Sequence, residues 1–329
     1  MPLVVITDCD HGHIAPEEAV LRAAGVSFRL HQAKTEDEVM AVAADADAVI
    51  SQYARITGPV LDRLSRCRVA VRYGVGVDTV DLPAATARGV VVVNVPDYCY
   101  EEVSDHTIAI TLALWRGVAF YDRAIRKGTW QATAVPFMFR LAGKVMGVIG
   151  LGRIGSSVAR KAMGVGLKVI GYDPFPIAWP ADVAKVSFEQ LLQESDVISL
   201  NLPLNPDTRH LIDEAALRKM KKTALLVNTA RGGLVDTAPL CRALTEGWIG
   251  GAALDVLEQE PIPADSPLLS MENVVLTPHA GWYSDQSVIE LKRKTAEAAV
   301  AVLRGQRPYS VVNPDVYAGG ALRAKTPLM

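Results

Sequence analysis

The stretch Val145-Met146-Gly147-Val148-Ile149-Gly150-Leu151-Gly152-Arg153-Ile154-Gly155 decides the fold. Its first five residues form a short apolar run of the kind that makes a buried strand. The glycines that follow are spaced Gly-x-Gly-x-x-Gly, and Ile154, Val158, Ala162 and Met163 then offer an apolar helical face. Strand, glycine turn and helix in direct succession are the start of a dinucleotide-binding unit. Gly150 permits the tight turn, Gly152 lets a pyrophosphate approach the backbone beside Arg153 and Ile154, and Gly155 lets helix and strand pack closely. Unpaired N–H groups at the helix N-terminus supply positive potential for the phosphates. The next strand, Lys168 to Tyr172, ends at Asp173, 18 residues beyond Gly155. Tyr172 and Asp173 therefore fall where the adenosine ribose belongs. A carboxylate there accepts the ribose hydroxyls and repels a 2′-phosphate, and Pro174-Phe175-Pro176 offers no arginine to offset that. The expected cofactor is NAD rather than NADP.

Outward from this motif, apolar runs alternate with amphipathic stretches along the whole chain. Leu3–Thr7, Ala48–Ser51, Val69–Val71 and Val90–Val93 read as one series of strands. Val145–Ile149, Lys168–Tyr172, Val197–Leu202, Ala224–Asn228, Ala252–Val256 and Val274–Leu276 read as a second. Such alternation means parallel sheets with crossover helices. The fingerprint begins only after 149 residues, so the cofactor domain is central in sequence. We expect an α/β protein of two doubly wound domains. A Rossmann domain (101–298) is inserted into a flavodoxin-like substrate domain (1–100 plus 299–329), with a cleft between them. Two long helical patterns, Glu101–Ile125 and Ser284–Arg304, lie between the two series and serve as connectors.

The bulk numbers narrow the partners. The chain has 329 residues, 50% of them hydrophobic and 21% charged, with a net charge of −2 and no charged block. Nucleic acid and anionic membrane are therefore not expected partners. No apolar run approaches the length of a membrane span, and Met1–Asp8 reads as a first strand rather than a signal peptide. Cys9, Cys67, Cys99 and Cys241 are scattered, which suits reduced thiols and a cytoplasmic setting. His11-Gly12-His13 has no third ligand nearby, so no metal is expected.

Three later strands end in chemically useful groups: Asn228-Thr229-Ala230-Arg231-Gly232-Gly233, Asp255-Val256-Leu257-Glu258-Gln259-Glu260-Pro261, and Thr277-Pro278-His279-Ala280-Gly281-Trp282. In an open parallel sheet, ligands bind beyond the carboxyl ends of strands, so all three can converge. In this order and spacing, with Tyr73-Gly74-Val75-Gly76-Val77-Asp78 and Asn94-Val95-Pro96 upstream, they resemble the D-isomer-specific 2-hydroxyacid dehydrogenase family. Within it, Val95–Val103, Thr229–Asp236 and His279–Ser284 look most like the C-terminal binding protein branch, although Val75 and Gly281 depart from that branch.

The resemblance implies that Arg231, Glu260 and His279 are catalytic, Glu258 being a rival two residues from Glu260. Chemistry accounts for the types. Hydride reaching C2 of a 2-oxo acid leaves negative charge on the carbonyl oxygen, and a histidine can donate the proton that this charge needs. A carboxylate on its other ring nitrogen fixes the tautomer and favours the imidazolium. An arginine fork holds the substrate carboxylate. The resemblance further implies that Asp255 faces the nicotinamide carboxamide, and that Leu202, Pro203, Thr208, Thr229, Ala230 and Gly281 line the cofactor channel. Thr107 would reach the phosphates. Arg72 and the N–H groups of Val75 and Gly76 would cradle the substrate carboxylate, and Trp282 would wall the pocket. The apolar cluster Pro136–Arg140 is either core or a subunit contact, since the family is commonly dimeric. Two further readings stand beside the enzyme: an NAD(H)-sensing scaffold of the corepressor type, and a formate substrate. Formate has no carbonyl oxygen to protonate, which leaves the Glu260–His279 pairing without a task.

Overall fold

A computed structural model describes residues 1–135, 138–175, 178–318 and 320–325. The chain divides into two compact units, Met1–Cys99 with Ser284–Met329, and Tyr100–Tyr283.

In the first unit the elements run β1 (Leu3–Ile6), α1 (Ala15–Ala23), β2 (Ser27–Leu30), α2 (Glu36–Ala43), β3 (Ala48–Ser51), α3 (Gly58–Arg63), β4 (Val69–Arg72), α4 (Leu82–Ala87) and β5 (Val91–Val93). The five strands are all parallel in the order β2-β1-β3-β4-β5, the flavodoxin-like arrangement. Val4, Val5, Ile6, Val49, Ile50, Val91, Val92 and Val93 are fully buried, as strands covered on both faces require.

The second unit opens with α5 (Tyr100–Trp115) and α6 (Val118–Arg126). It continues β6 (Val145–Ile149), α7 (Arg153–Gly164), β7 (Lys168–Tyr172), β8 (Ala184–Lys185), α8 (Phe188–Glu194) and β9 (Val197–Leu200). Then come α9 (Glu214–Lys219), β10 (Leu225–Asn228), α10 (Thr237–Glu246), β11 (Gly251–Leu254) and β12 (Val274–Leu276). Its seven parallel strands lie in the order β12-β11-β10-β9-β6-β7-β8. The order reverses at β6, where the chain leaves toward β7 on one side and β9 on the other. That switch point places the glycine loop and the tails of β9 to β12 at the same edge.

Two expectations need correction. The helical pattern 101–125 is two helices, because Gly117 takes left-handed backbone (φ 61) and starts α6 after α5 has ended. The second connector, α11 (Asp285–Leu303), belongs whole to the first unit, whereas the expected boundary at 298 cuts through it. Leu291, Lys292, Thr295, Ala296, Ala298 and Ala299 are buried, and the helix packs on α1, β3 and β4. Apolar spacing shows that a helix has an inner face, not which sheet receives it. Ser284 starts α11 with a reciprocal cap on Ser287, an arrangement worth about 1 kcal/mol.

Candidate active site

The glycine loop has the geometry a dinucleotide needs. Gly150 stands at φ 86, its N–H on the Tyr172 carbonyl at 2.8 Å. A Cβ on Gly155 would run into the Gly150 carbonyl oxygen, whereas one on Gly152 would meet nothing within 4 Å. Gly152 is the N-cap of α7 with no side-chain cap, so the first-turn N–H groups face outward unoccupied by a side chain. Asp173 accepts from the Leu151 N–H at 2.7 Å and the Phe175 N–H at 2.9 Å, which seats its carboxylate beside the loop. Ile154 packs into the core under the loop while Arg153 is exposed. Leu202 is buried and Tyr172 packs on Phe188 at 5.4 Å, so these two shape the floor from the core side. Pro203 is exposed beside them. The open turn, the uncapped helix and the seated carboxylate fit NAD.

Beyond β10, the Asn228 side chain holds the turn that carries Arg231. Its Oδ1 accepts from the Ala230 N–H at 3.0 Å and its Nδ2 donates to the Arg231 carbonyl at 2.8 Å. Arg231 Nη1 donates to the Ala230 carbonyl at 2.7 Å. Beyond β12, His279 takes left-handed backbone (φ 55), a conformation uncommon outside glycine. Its ring Nδ1 lies 2.7 Å from Glu260 Oε2, and the two side chains are 33% and 37% exposed, within reach of a substrate from solvent. Burial alone would raise the Glu260 carboxyl. The His279 ring, the Leu257 N–H at 2.9 Å and the Arg231 charge outweigh it and hold Glu260 below the usual range. The carboxylate is therefore ionised, and it orients the ring with Nε2 directed elsewhere. Glu258, the rival, is engaged by another histidine: His210 Nε2 lies 2.6 Å from it.

The loop under His279 is organised by Asp255. This carboxylate is 3% exposed and accepts from the Thr277 hydroxyl at 2.6 Å, the Ala280 N–H at 2.8 Å and the Gly281 N–H at 2.9 Å, with His106 Nε2 at 3.3 Å. Burial opposes ionisation, but His106, Thr277 and the two N–H groups together depress its pKa to about 2. The Asp255 carboxylate thus holds the loop, and its Oδ2 accepts from the Gly281 N–H. Two hydroxyls expected at the cofactor are also committed elsewhere. Thr107 is fully buried and donates to the Val103 carbonyl at 2.7 Å, which leaves no proton for a phosphate. Thr208 donates to the Pro203 carbonyl at 2.7 Å and closes its own turn. Thr229 pairs with Thr107 at 2.7 Å, and Ala230 packs half-buried on the core. Gly281 is tight: a Cβ there would stand 2.9 Å from Asp255 Oδ2.

In the first unit, Arg72 Nη1 donates to the Tyr73 carbonyl. Asn94 Nδ2 holds the Val75 carbonyl at 2.6 Å and the Val95 N–H holds Gly74 at 2.9 Å. The N–H groups of Val75 and Gly76 have no protein partner among the described residues. Tyr73 beneath them is anchored by Glu17 at 2.6 Å. His11 lies edge-on to Tyr73, and burial pushes its pKa down to about 4, with Asp10 opposing. Trp282, half-buried, stands edge-on to Tyr283 at 5.6 Å. Of the apolar cluster before β6, Pro136 and Phe137 lie outside the described residues; Met138 and Phe139 are exposed. Sequence reasoning missed Asn228 and His106. Asn228 was visible as the first residue of the Asn-Thr-Ala-Arg run, whereas nothing local marks His106.

A model of the NAD-binding domain of D-isomer-specific 2-hydroxyacid dehydrogenases matches residues 108–281. A glyoxylate reductase of Korarchaeum cryptofilum is 42% identical over 279 residues, 83% of this chain and 84% of that protein. A D-3-phosphoglycerate dehydrogenase of Methanocaldococcus jannaschii is 39% identical over 85% of this chain and 54% of that protein. The crystal structure of a D-lactate dehydrogenase from Aquifex aeolicus, complexed with NAD and lactic acid, superposes with a TM-score of 0.84 at 28% identity, over 94% of this chain and 99% of that one. With the open glycine turn and the His279–Glu260 pair already in place, the chain belongs to the D-isomer-specific 2-hydroxyacid dehydrogenases, as an NAD-dependent enzyme that interconverts 2-oxo and 2-hydroxy acids.

Proposed function

We propose that the chain reduces a small 2-oxo acid at C2 with His279 as proton donor, and that glyoxylate is the first acid to test. The observation that carries this is the 2.7 Å contact between His279 Nδ1 and Glu260, which leaves Nε2 with no partner among the described residues. When bound, NADH supplies the hydride. His279 gives its Nε2 proton to the carbonyl oxygen as charge grows there, and Glu260 stabilises the imidazolium before the transfer. Arg231 takes the substrate carboxylate and polarises the carbonyl. Trp282 sets what C3 substituent is accepted. In the reverse direction His279 is the base. The glyoxylate reductases among the relatives support the choice of a short acid.

The test is loss of NADH absorbance with glyoxylate, hydroxypyruvate and a branched apolar 2-oxo acid. Turnover of at least one is expected. No turnover, together with tight NADH binding and NADH-dependent dimerisation, would instead support the NAD(H)-sensing scaffold, which the relatives do not favour. Closeness to the C-terminal binding protein branch rests on the Val95–Val103, Thr229–Asp236 and His279–Ser284 runs alone. We further propose a cytoplasmic homodimer. Val118, Ile125, Trp130, Met138 and Phe139 are exposed, Trp130 at 88%, and so many apolar side chains on one segment call for a cover. No helix among the described residues is long and apolar enough to cross a membrane.

A further inference from the structure

Two consecutive residues on α5 reach the loops that carry the catalytic pair of charges. His106 Nε2 lies 2.9 Å from Thr277 Oγ1, on the tail of β12 that leads to His279. Thr107 Oγ1 lies 2.7 Å from Thr229 Oγ1, on the tail of β10 that leads to Arg231. The direction of each bond follows from counting protons. A threonine hydroxyl has one proton to give. That of Thr277 goes to the Asp255 carboxylate, which only accepts, so His106 must donate to Thr277. That of Thr107 goes to the Val103 carbonyl, which also only accepts, so Thr229 must donate to Thr107. Neighbouring residues on a helix point about 100° apart, which lets one turn of α5 address two different strand tails. The helix itself packs on β10, β11 and β12. Thr107 and Thr229 are both under a tenth exposed, so their bond competes little with water, while His106 is 22% exposed.

We propose that His106 is a positioning residue for the reaction, its Nε2–H fixing the Thr277–His279 loop in register with the Arg231 loop that Thr107 holds. This rests on the functional reading above. A displacement of about 1 Å between reacting groups can cost on the order of 10²-fold in rate, which is the leverage such a ruler would have.

The test compares His106→Leu, His106→Gln and Thr277→Val in the full-length protein. His106→Leu should lower kcat for 2-oxo acid reduction by about 10- to 100-fold while KM and the NADH Kd stay within about threefold. His106→Gln, whose amide nitrogen can occupy the place of Nε2, should recover kcat to within about threefold of wild type. Thr277→Val removes this bond together with the one to Asp255, so it should lose at least as much kcat as His106→Leu, and the double variant should lose less than the product of the two single losses. Wild-type kcat in His106→Leu, equal loss in His106→Gln and His106→Leu, or a loss confined to KM or NADH binding would overturn the inference. If the wild type reduces none of the acids, the functional reading fails by itself. Positioning is then judged on amide exchange of Ala280 and Gly281, expected to be faster by about tenfold in His106→Leu and restored in His106→Gln. Unchanged exchange would sink it.

Discussion

Two histidines in this chain look alike but stand in different surroundings. His279 and His210 both stand in left-handed backbone, at φ 55 and φ 52, and both give a ring nitrogen to a glutamate, Glu260 at 2.7 Å and Glu258 at 2.6 Å. The difference lies on the far side of each ring. His210 Nδ1 faces Asp236 at 3.8 Å, and Arg209 lies 3.6 Å from Glu258, so this ring is bracketed and its carboxylate is shared with a cation. His279 keeps Nε2 unengaged among the described residues, and Arg231 acts on Glu260 through charge. In the proposed mechanism a histidine–carboxylate pair donates a proton only through a second, unengaged nitrogen, which His279 keeps among the described residues.

The largest effect that can break this comparison comes from His279→Asn, since asparagine tolerates the left-handed backbone and removes only the ring. Reduction should fall by about 10²- to 10⁴-fold with NADH still bound, whereas His210→Asn should leave it within about threefold. Comparable losses in stopped-flow NADH oxidation would erase the distinction. Next, Glu260→Gln weakens the bond that orients the His279 ring, so kcat of reduction should fall by about 10- to 100-fold. Glu258→Gln should leave kcat within about threefold. Equal losses in both variants would mean that the two carboxylates share the task.

A third expectation concerns the loop beneath His279. Asp255 is depressed from 3.8 to about 2 in the folded chain. Its stabilising contribution is therefore complete above the unfolded value and disappears as pH falls through the folded one. The pH-dependent part of the stability gap between wild type and Asp255→Asn should be about 2 kcal/mol at pH 7 and should close between about pH 4 and pH 2. Urea titrations that show a constant gap across that range would contradict it. The smallest effect is the stability cost of losing the bracketed pair. His210→Asn should change unfolding free energy by no more than about 1 kcal/mol, because both side chains are partly exposed to screening solvent.

Much of the fold is legible in the sequence. Strands β3, β6, β7 and β12 begin and end where their apolar runs do, because a strand covered on both faces admits little else. The glycine loop was legible because each glycine answers a separate steric demand. Two edge strands were not: Ser27–Leu30 alternates weakly and is half exposed, and Ala184–Lys185 is too short to leave a pattern. Glu258 and Glu260 could be ordered only by the family pattern, since a carboxylate's partner is set by the fold around it. Asp255, Thr107 and Thr208 show what residue type alone leaves unsaid: each also makes a bond to a backbone group within the fold, to the Gly281 N–H, the Val103 carbonyl and the Pro203 carbonyl.

The first unit is assembled from two stretches separated by the whole of Tyr100–Tyr283, and it includes the buried Lys292 of α11, bonded to the His13 carbonyl. On a ribosome the intervening unit is complete while its predecessor still lacks a helix. At about 5–20 residues per second, the N-terminal third waits on the order of 10–40 s for α11 to emerge. We expect nascent chains halted before Ser284 to resist protease over residues 100–283 and to be cleaved readily before them. Equal resistance in both stretches would show that the early sheet closes without its late partner.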